Sequence, residues 1–417
     1  MNLAEELKAR GLIEHSSTDP EKIFSVPRTV YIGVDPTADS LHVGHLVPVL
    51  LMKRLGDAGH TLVFLIGGGT GMIGDPKEKG ERVMLDEKTV AHNTRALKSQ
   101  LKKILGNASF KMVDNADWLM SAKLIPFLRD VGKHFTVNDL IKREVIKKRL
   151  NAPDESISFT EFSYALLQGL DYLTLNEKYN VDLQIGGTDQ WTSLLSGVDL
   201  IHKKLGKDVY AFTAPLVTDA TGKKFGKSEG NAIWLDPKKT SPFSFYQFWL
   251  NLPDAGIEHY LKVYTFLSLL EIGALIELHT RNPGERQAQE TLARLVTETV
   301  HGPAATAQAA ATTDALFGDT PFNELSRDAL QVALAEAPSV ILAKKDIADG
   351  SPLAEALVAG GMASSKSDAR RLIKGKGISL SGQTITNPDQ KVYNGDFSNG
   401  YALVRKGKQG VLILVLK

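Results

Sequence analysis

The sequence predicts an α/β protein: a Rossmann-like parallel-sheet domain, then a helical domain, then a small α+β domain. Three patterns carry that expectation. Up to about residue 218, short apolar runs (TVYIGV, TLVFLI, FKMVDN, VDLQIGG) alternate with helical stretches, as in a parallel sheet covered on both faces. From Ser241 to about Phe317 the apolar period is helical, and the end of the chain breaks into strand-like segments separated by Gly, Asn and Asp. The expected limits are 1–220 for the first domain, 221–318 for a basic loop and the helical domain, 319–350 for a connector with a short helix, and 351–417 for the last domain.

The elements follow in order. MNLAEELKARGLIEH reads as an amphipathic helix without the apolar core of a leader. Val30, Tyr31 and Ile32 form a short buried strand, Gly33 follows, and Asp35-Pro36-Thr37 supplies turn chemistry. Ser40 is a candidate cap for a helix running through Leu50 to Leu55, opened by His42-Val43-Gly44-His45. A helix N-terminus there attracts phosphate, Gly44 permits close approach, and two neutral imidazoles can donate to triphosphate oxygens. Taken alone, such a histidine pair is more often a capped, hydrogen-bonded surface turn, and no third ligand at fixed spacing supports a metal. After TLVFLI, Gly69, Gly71 and Gly74 satisfy a dinucleotide fingerprint, but Asp75-Pro76 disfavours a helix running on from them. A better use of GGGTGMIGDP is a backbone surface for a substrate, with Asp75 presenting a carboxylate to an ammonium group.

Further along, Tyr164, Gln168 and Asp171 are spaced i, i+4, i+7 and share one helix face. Residues 221–230, TGKKFGKSEG, form a basic loop in which Lys224 and Lys227 flank Phe225-Gly226 and Ser228 follows. SPFSFYQFWL, IEHYLKVYTFL, LLEIGALIELH and QETLARLVTETVHG read as separate helices, continued by Ala-rich 304–315. The last domain reads as a helix near Ala363 to Lys374, then ISLSGQTI, KVYN, YALVRK and GVLILVLK as strands.

Composition bounds the function. With 43% apolar and 23% charged residues, the 417-residue chain is ordinary globular protein. Zero cysteines exclude disulfides, thiolate metal sites and a cysteine nucleophile. No run of eighteen apolar residues occurs, so a cytoplasmic location without a membrane partner is the expectation. From Gly361 to Lys417 there are ten Lys/Arg and three Asp, a net +7, so the first 360 residues carry −6 of the overall +1. Lys366, Arg370, Arg371 and Lys374, with Arg405, Lys406 and Lys408, are candidates for a phosphate-backbone footprint.

HVGH and KFGKS, about 180 residues apart, resemble the two signatures of class I aminoacyl-tRNA synthetases, HIGH and KMSKS. SYALLQGLDY and LQIGGTDQW resemble the tyrosine-site helix and ribose loop of the tyrosyl branch, and SSKSDARRLIKGKGISLSGQTI is similar to the RNA-binding domain named for small-subunit ribosomal protein four. This resemblance spans the whole chain. It implies activation of L-tyrosine by ATP, accompanied by Mg²⁺ on the phosphates and no dedicated protein metal cage, then transfer of tyrosyl to tRNA(Tyr) by a homodimer. Tyr31 and Asp171 would meet the substrate hydroxyl; Tyr164, Gln168 and Asp75 the α-amino group; Gln190 the carboxyl group. Asp35, Gly33, Gly187 and Asp189 would hold the nucleoside. Thr37, His42, Gly44 and His45 would face the phosphates from one side, and Lys224, Lys227 and Ser228 from the other. Neither step needs an enzyme nucleophile, since positioning and charge stabilisation suffice.

Two departures stand out. The interval from Asp75 to Arg82 is one residue shorter than is common in the family, so Lys77, Lys79 and Arg82 all stay open as the pyrophosphate contact. Phe225-Gly226 also replaces Met-Ser, with both lysines kept. A tryptophanyl relative, an RNA-binding factor on the same scaffold and an NAD oxidoreductase are the rival readings.

Overall fold

The computed structural model describes residues 1–77, 80, 84–106, 108–218, 225, 227–228, 231–318, 320, 322–407 and 410–417. Two compact units emerge: Met1–Lys239 with Pro253–Ala288, and Thr240–Leu252 with Gln289–Lys417.

In the first unit, β1 (His15–Ser16), β2 (Thr29–Val34), β3 (Thr61–Ile66), β4 (Phe110–Asp114), β5 (Leu183–Gly187) and β6 (Tyr210–Ala214) form a sheet in the order β1-β6-β5-β2-β3-β4. All neighbours run parallel except β1 against β6. The apolar runs are continuous because both faces are covered: Leu62 to Ile66 are all buried. The chain leaves β2 toward β3 and β4, then returns to its other side for β5 and β6. A crevice opens at such a reversal, beyond the carboxyl ends of the strands. A backbone hairpin follows, β7 (Lys227–Ser228) paired with β8 (Asn231–Ala232).

The cap of the Val43–Asp57 helix is His42, not Ser40. Ser40 turns inward, where its hydroxyl accepts from Gln100 Nε2 at 2.9 Å and from the Asp236 N–H at 3.2 Å. Those tertiary partners take the oxygen that a cap would need. The GxGxxG triplet opens no α-helix, for Thr70–Met72 is one 3₁₀ turn and Gly74 has φ +82°.

In the second unit, β9 (Ser339–Leu342), β11 (Ile378–Leu380), β12 (Gln383–Thr384), β14 (Tyr401–Lys406) and β15 (Gly410–Leu416) form a sheet in the order β12-β11-β14-β15-β9, and β10 (Ser351–Pro352) pairs with β13 (Lys391–Val392). Leu353, Leu357, Ile373, Val404, Leu412 and Leu414 fill its core. The stretch 319–350, expected as a connector, thus supplies β9, parallel to β15. Four residues are too few to show a period. The helices Ile257–Tyr264 and Leu269–Arg281, expected within the helical domain, belong to the first unit.

Candidate active site

A pocket of about 740 Å³ lies at the carboxyl ends of β2 and β5 and takes in every tyrosine- and ATP-site residue expected from the sequence between Tyr31 and Gln190. Gly33, Asp35 and Thr37 leave β2, while Gly187, Asp189 and Gln190 leave β5. Tyr31 and Gln184 face each other in register across these two strands.

One end is closed by buried polar groups. Asp171 is 2% exposed, and each of its oxygens takes one donor: Asn115 Nδ2 at 2.9 Å and Trp118 Nε1 at 2.8 Å. Burial pushes its carboxyl up to about 7, against the two donors that lower it. Burial, then Asp171, holds the Tyr31 phenol well above its ordinary value, so Tyr31 remains an O–H donor. Among the described residues Tyr31 Oη, Gln168 Oε1 and Gln184 Oε1 are buried without a hydrogen-bond partner. Unpaired buried polar atoms are costly, and all three line this pocket, so the site is built for a polar occupant.

Asn115 was missed by the sequence reading. It is fully buried, accepts from the Gly69 N–H at 2.7 Å, and donates to Thr70 Oγ1 at 2.9 Å as well as to Asp171. Thr70 in turn donates to Asp35 Oδ1 at 2.7 Å. Its position just beyond β4 was the available signal, because ligands sit at the carboxyl ends of parallel strands.

Elsewhere in the pocket, Gln190 Nε2 donates to Asp75 Oδ2 and Tyr164 Oη to Asp35 Oδ2, each at 2.8 Å. Nearby, Arg143 is 8% exposed and bonds to Ser193 Oγ. Burial lowers its guanidinium, partly opposed by Asp75 and Tyr164. In sequence Arg143 is one cation within a basic run, and nothing there marks it.

The HVGH turn, expected from the sequence to face phosphates, forms another wall of the pocket. The Gly44 N–H donates to His42 Nδ1 at 3.0 Å and the His42 N–H to His45 Nδ1 at 3.4 Å, with the rings 3.9 Å apart. A neutral imidazole that accepts at Nδ1 carries its proton on Nε2, which fixes the tautomer of both rings. A Cβ on Gly44 would stand 2.9 Å from His42 Cε1. The segment that follows the second signature is tied alongside: the Val43 N–H donates to Ile233 O at 3.0 Å and the Leu235 N–H to Leu41 O at 2.8 Å. Phe225, in place of the consensus Met, is buried and stacks on Tyr260 at 4.6 Å. Lys227 and Ser228 are described by backbone alone; Lys224, Lys79, Arg82 and Lys408 lie outside the described residues.

The expected RNA footprint is largely self-paired. Lys366 meets Glu355 at 2.7 Å, Arg370 meets Asp389 at 2.9 Å, and Arg371 meets Asp368 at 2.7 Å. Lys406 Nζ donates to Met362 O, while Lys374 is exposed. Half-buried Arg405 donates to Ala315 O at 2.9 Å in the last turn of the Pro303–Phe317 helix, which takes it out of an open basic face. Among the described residues no group of three or more His, Asp or Glu is placed to hold a metal ion.

Residues 25–318 match the family model "tRNA synthetases class I (W and Y)", and residues 329–414 match "Tyrosine--tRNA ligase SYY-like C-terminal domain". The chain is 45% identical over 414 residues to Tyrosine--tRNA ligase 1 of Vibrio parahaemolyticus, covering 98% of this chain and 97% of that protein. It is 42% identical over 422 residues to Tyrosine--tRNA ligase of Anaeromyxobacter dehalogenans, covering all of both. A C-terminally truncated mitochondrial tyrosyl-tRNA synthetase of Aspergillus nidulans superposes with TM-score 0.68 at 30% identity, over 75% of this chain and 94% of that one. With the pocket inside the first match, all but the last two residues of the C-terminal sheet inside the second, and relatives similar along nearly the whole length, the chain belongs to the tyrosine–tRNA ligase family of class I tRNA synthetases.

Proposed function

We propose that this pocket joins L-tyrosine to AMP at the expense of ATP and passes the tyrosyl group to the 3′ end of tRNA(Tyr). The observation that carries the tyrosine assignment is the Tyr31 hydroxyl, buried beside Asp171 without a hydrogen-bond partner among the described residues. A phenol entering there accepts from Tyr31 and donates to Asp171; phenylalanine would leave both unmet. Sites that hydrogen-bond a substrate hydroxyl reject the deoxy analogue by roughly 10⁴ to 10⁵, a discrimination already known for this enzyme family.

Asp75, Tyr164 and Gln168 hold the ammonium group and Gln190 the carboxylate, leaving one carboxylate oxygen to attack the α-phosphorus. Asp35, Gly33, Gly187 and Asp189 seat the nucleoside. Thr37 and the Nε2–H groups of His42 and His45 take phosphate oxygens, with Gly44 allowing close approach, and Lys224, Lys227 and Ser228 are the cations and hydroxyl assigned to the same phosphates. These donors strengthen as the leaving pyrophosphate gains charge. Mg²⁺, arriving with ATP as part of the substrate and held by its phosphate oxygens, would supply further countercharge there. Lys77 is exposed on the Asp75 loop and is the described candidate for an added pyrophosphate contact.

ATP–pyrophosphate exchange with tyrosine, tryptophan and phenylalanine offered separately tests this reading. Exchange with tyrosine alone is expected; exchange with tryptophan instead would move the chain to the other branch of its class. The cytoplasm is the expected site of action, alongside the tRNA pool. A homodimer is part of the reading. The Leu124–Asp130 helix buries none of its residues, and Leu124 and Ile125 are 68% and 70% exposed, an apolar face that a second copy would cover. Sedimentation at twice 45.4 kDa is expected.

A further inference from the structure

The Glu87–Leu105 helix has two unlike faces. Val90, Leu97, Leu101 and Ile104 are buried, while Lys88, His92, Arg95, Ser99, Lys102 and Lys103 are exposed. At 100° per residue those six fall within an arc of about 100°, opposite the buried face. The helix holds five Lys/Arg and one Glu, a net +4 inside the 360 residues that together carry −6. Glu87 lies outside the arc.

These charges are left uncompensated. Elsewhere in the same unit Lys53, Lys148, Lys262 and Arg281 each meet a carboxylate four residues away on their own helix. Among the described residues, Lys88, Arg95, Lys102 and Lys103 meet none, and Lys98 alone reaches Asp114, at 3.8 Å. Like charges one or two turns apart repel, so the row costs the fold something and contributes nothing to it in isolation.

Its place is fixed by the buried face. Asn93 Nδ2 donates to Pro36 O at 2.9 Å, and Gln100 accepts from the Leu41 N–H at 2.8 Å while donating to Ser40 Oγ at 2.9 Å. The helix therefore lies directly on the turn that carries Thr37 and His42, and its basic arc stands about one helix diameter, ~10 Å, from that turn. Lys88, Arg95 and Lys102 are two turns apart and span ~21 Å.

We propose that this arc is a docking surface for the phosphate backbone of the acceptor end of tRNA, guiding the terminal ribose into the activation pocket. The inference rests on the tRNA-charging function proposed above. A polyanion laid along the row releases its counterions and relieves the repulsion, which a neutral partner would not do.

The test compares the full-length protein with its Lys88→Gln/Arg95→Gln/Lys102→Gln variant, using a tRNA(Tyr) transcript. The KM for tRNA is expected to rise about tenfold at 150 mM salt, and the slope of log(kcat/KM) against log[salt] to flatten by roughly 2 to 3, at about 0.9 per lost phosphate contact. Tyrosine-dependent pyrophosphate exchange should stay unchanged. Binding of an acceptor-stem minihelix should weaken, and that of an anticodon hairpin should not. The charge-keeping Lys88→Arg/Lys102→Arg variant should behave as the unsubstituted protein. Unaltered tRNA kinetics and salt slope with exchange intact would overturn the proposal, as would loss of exchange in the triple variant. Failure of the unsubstituted protein to charge tRNA while it still performs exchange would instead remove the reading on which the proposal rests.

Discussion

Asp171 shows how burial sets chemistry at a single residue. Its carboxyl is pushed up to about 7 with Asn115 and Trp118 donating to it. Once protonated it competes with Tyr31 as donor to the substrate oxygen and stops accepting from the substrate hydroxyl. The kcat/KM for tyrosine should therefore fall below about pH 7, approaching tenfold per unit, in an exchange assay run from pH 5.5 to 8.5; a flat profile would count against ionised Asp171 as the hydroxyl acceptor. The same shift acts on stability with a definite sign. Between its ordinary value of 3.8 and about 7 the folded protein holds a proton that the unfolded chain has released, so this group's contribution to stability falls as pH rises through that window. Asn115→Ala removes one donor from Asp171 and strands the Gly69 N–H, which should cost ~1–3 kcal/mol in denaturant unfolding and narrow the tyrosine-over-phenylalanine preference.

At the scale of elements, a buried aromatic of the second signature and a few backbone bonds of the segment after it reach the helix that HVGH opens. Phe225 stacks on Tyr260 and lies 5.8 Å from Tyr264, whose hydroxyl donates to Val43 O at 3.3 Å. Phe225→Ala should lower stability by ~3 kcal/mol in thermal unfolding and lower kcat for exchange, with the KM for tyrosine little changed. Gly44→Ala places a methyl 2.9 Å from His42 Cε1 and must displace that ring. About a tenfold rise in the KM for ATP is expected, with the melting temperature nearly unchanged, read by exchange kinetics and calorimetry. An unaltered KM for ATP would show that the His42 ring position does not govern nucleotide binding.

At the scale of the whole molecule, the units do not follow the sequence boundaries. β9 completes the C-terminal sheet by pairing with β15, so a fragment beginning at Arg327 carries the whole sheet. One beginning at Ser351 leaves β15, with buried Leu412, Ile413 and Leu414, as an open edge. The longer fragment should melt cooperatively and the shorter should aggregate or lose cooperativity, which circular dichroism and light scattering distinguish. Equal behaviour of the two would mean that β9 contributes nothing to the sheet's stability.

What the amino-acid order determined by itself is local or periodic. The alternation of apolar runs and helices declared a parallel sheet, the i, i+4, i+7 spacing declared that Tyr164, Gln168 and Asp171 share a face, and HVGH declared a helix start. Each depends on neighbours within a few turns, so each can be read from a line of letters. The tertiary structure alone decided the rest. Asn115 and Arg143 gain their places because strands and helices far apart in sequence converge on one pocket; Ser40 yields the cap to His42 because Gln100 and Asp236 claim its oxygen. Arg405 serves a helix end 90 residues away, and four residues become β9 because β15 offers them a partner. Side-chain hydrogen bonds and strand pairing are bought by contacts distant in sequence, and no local period records them.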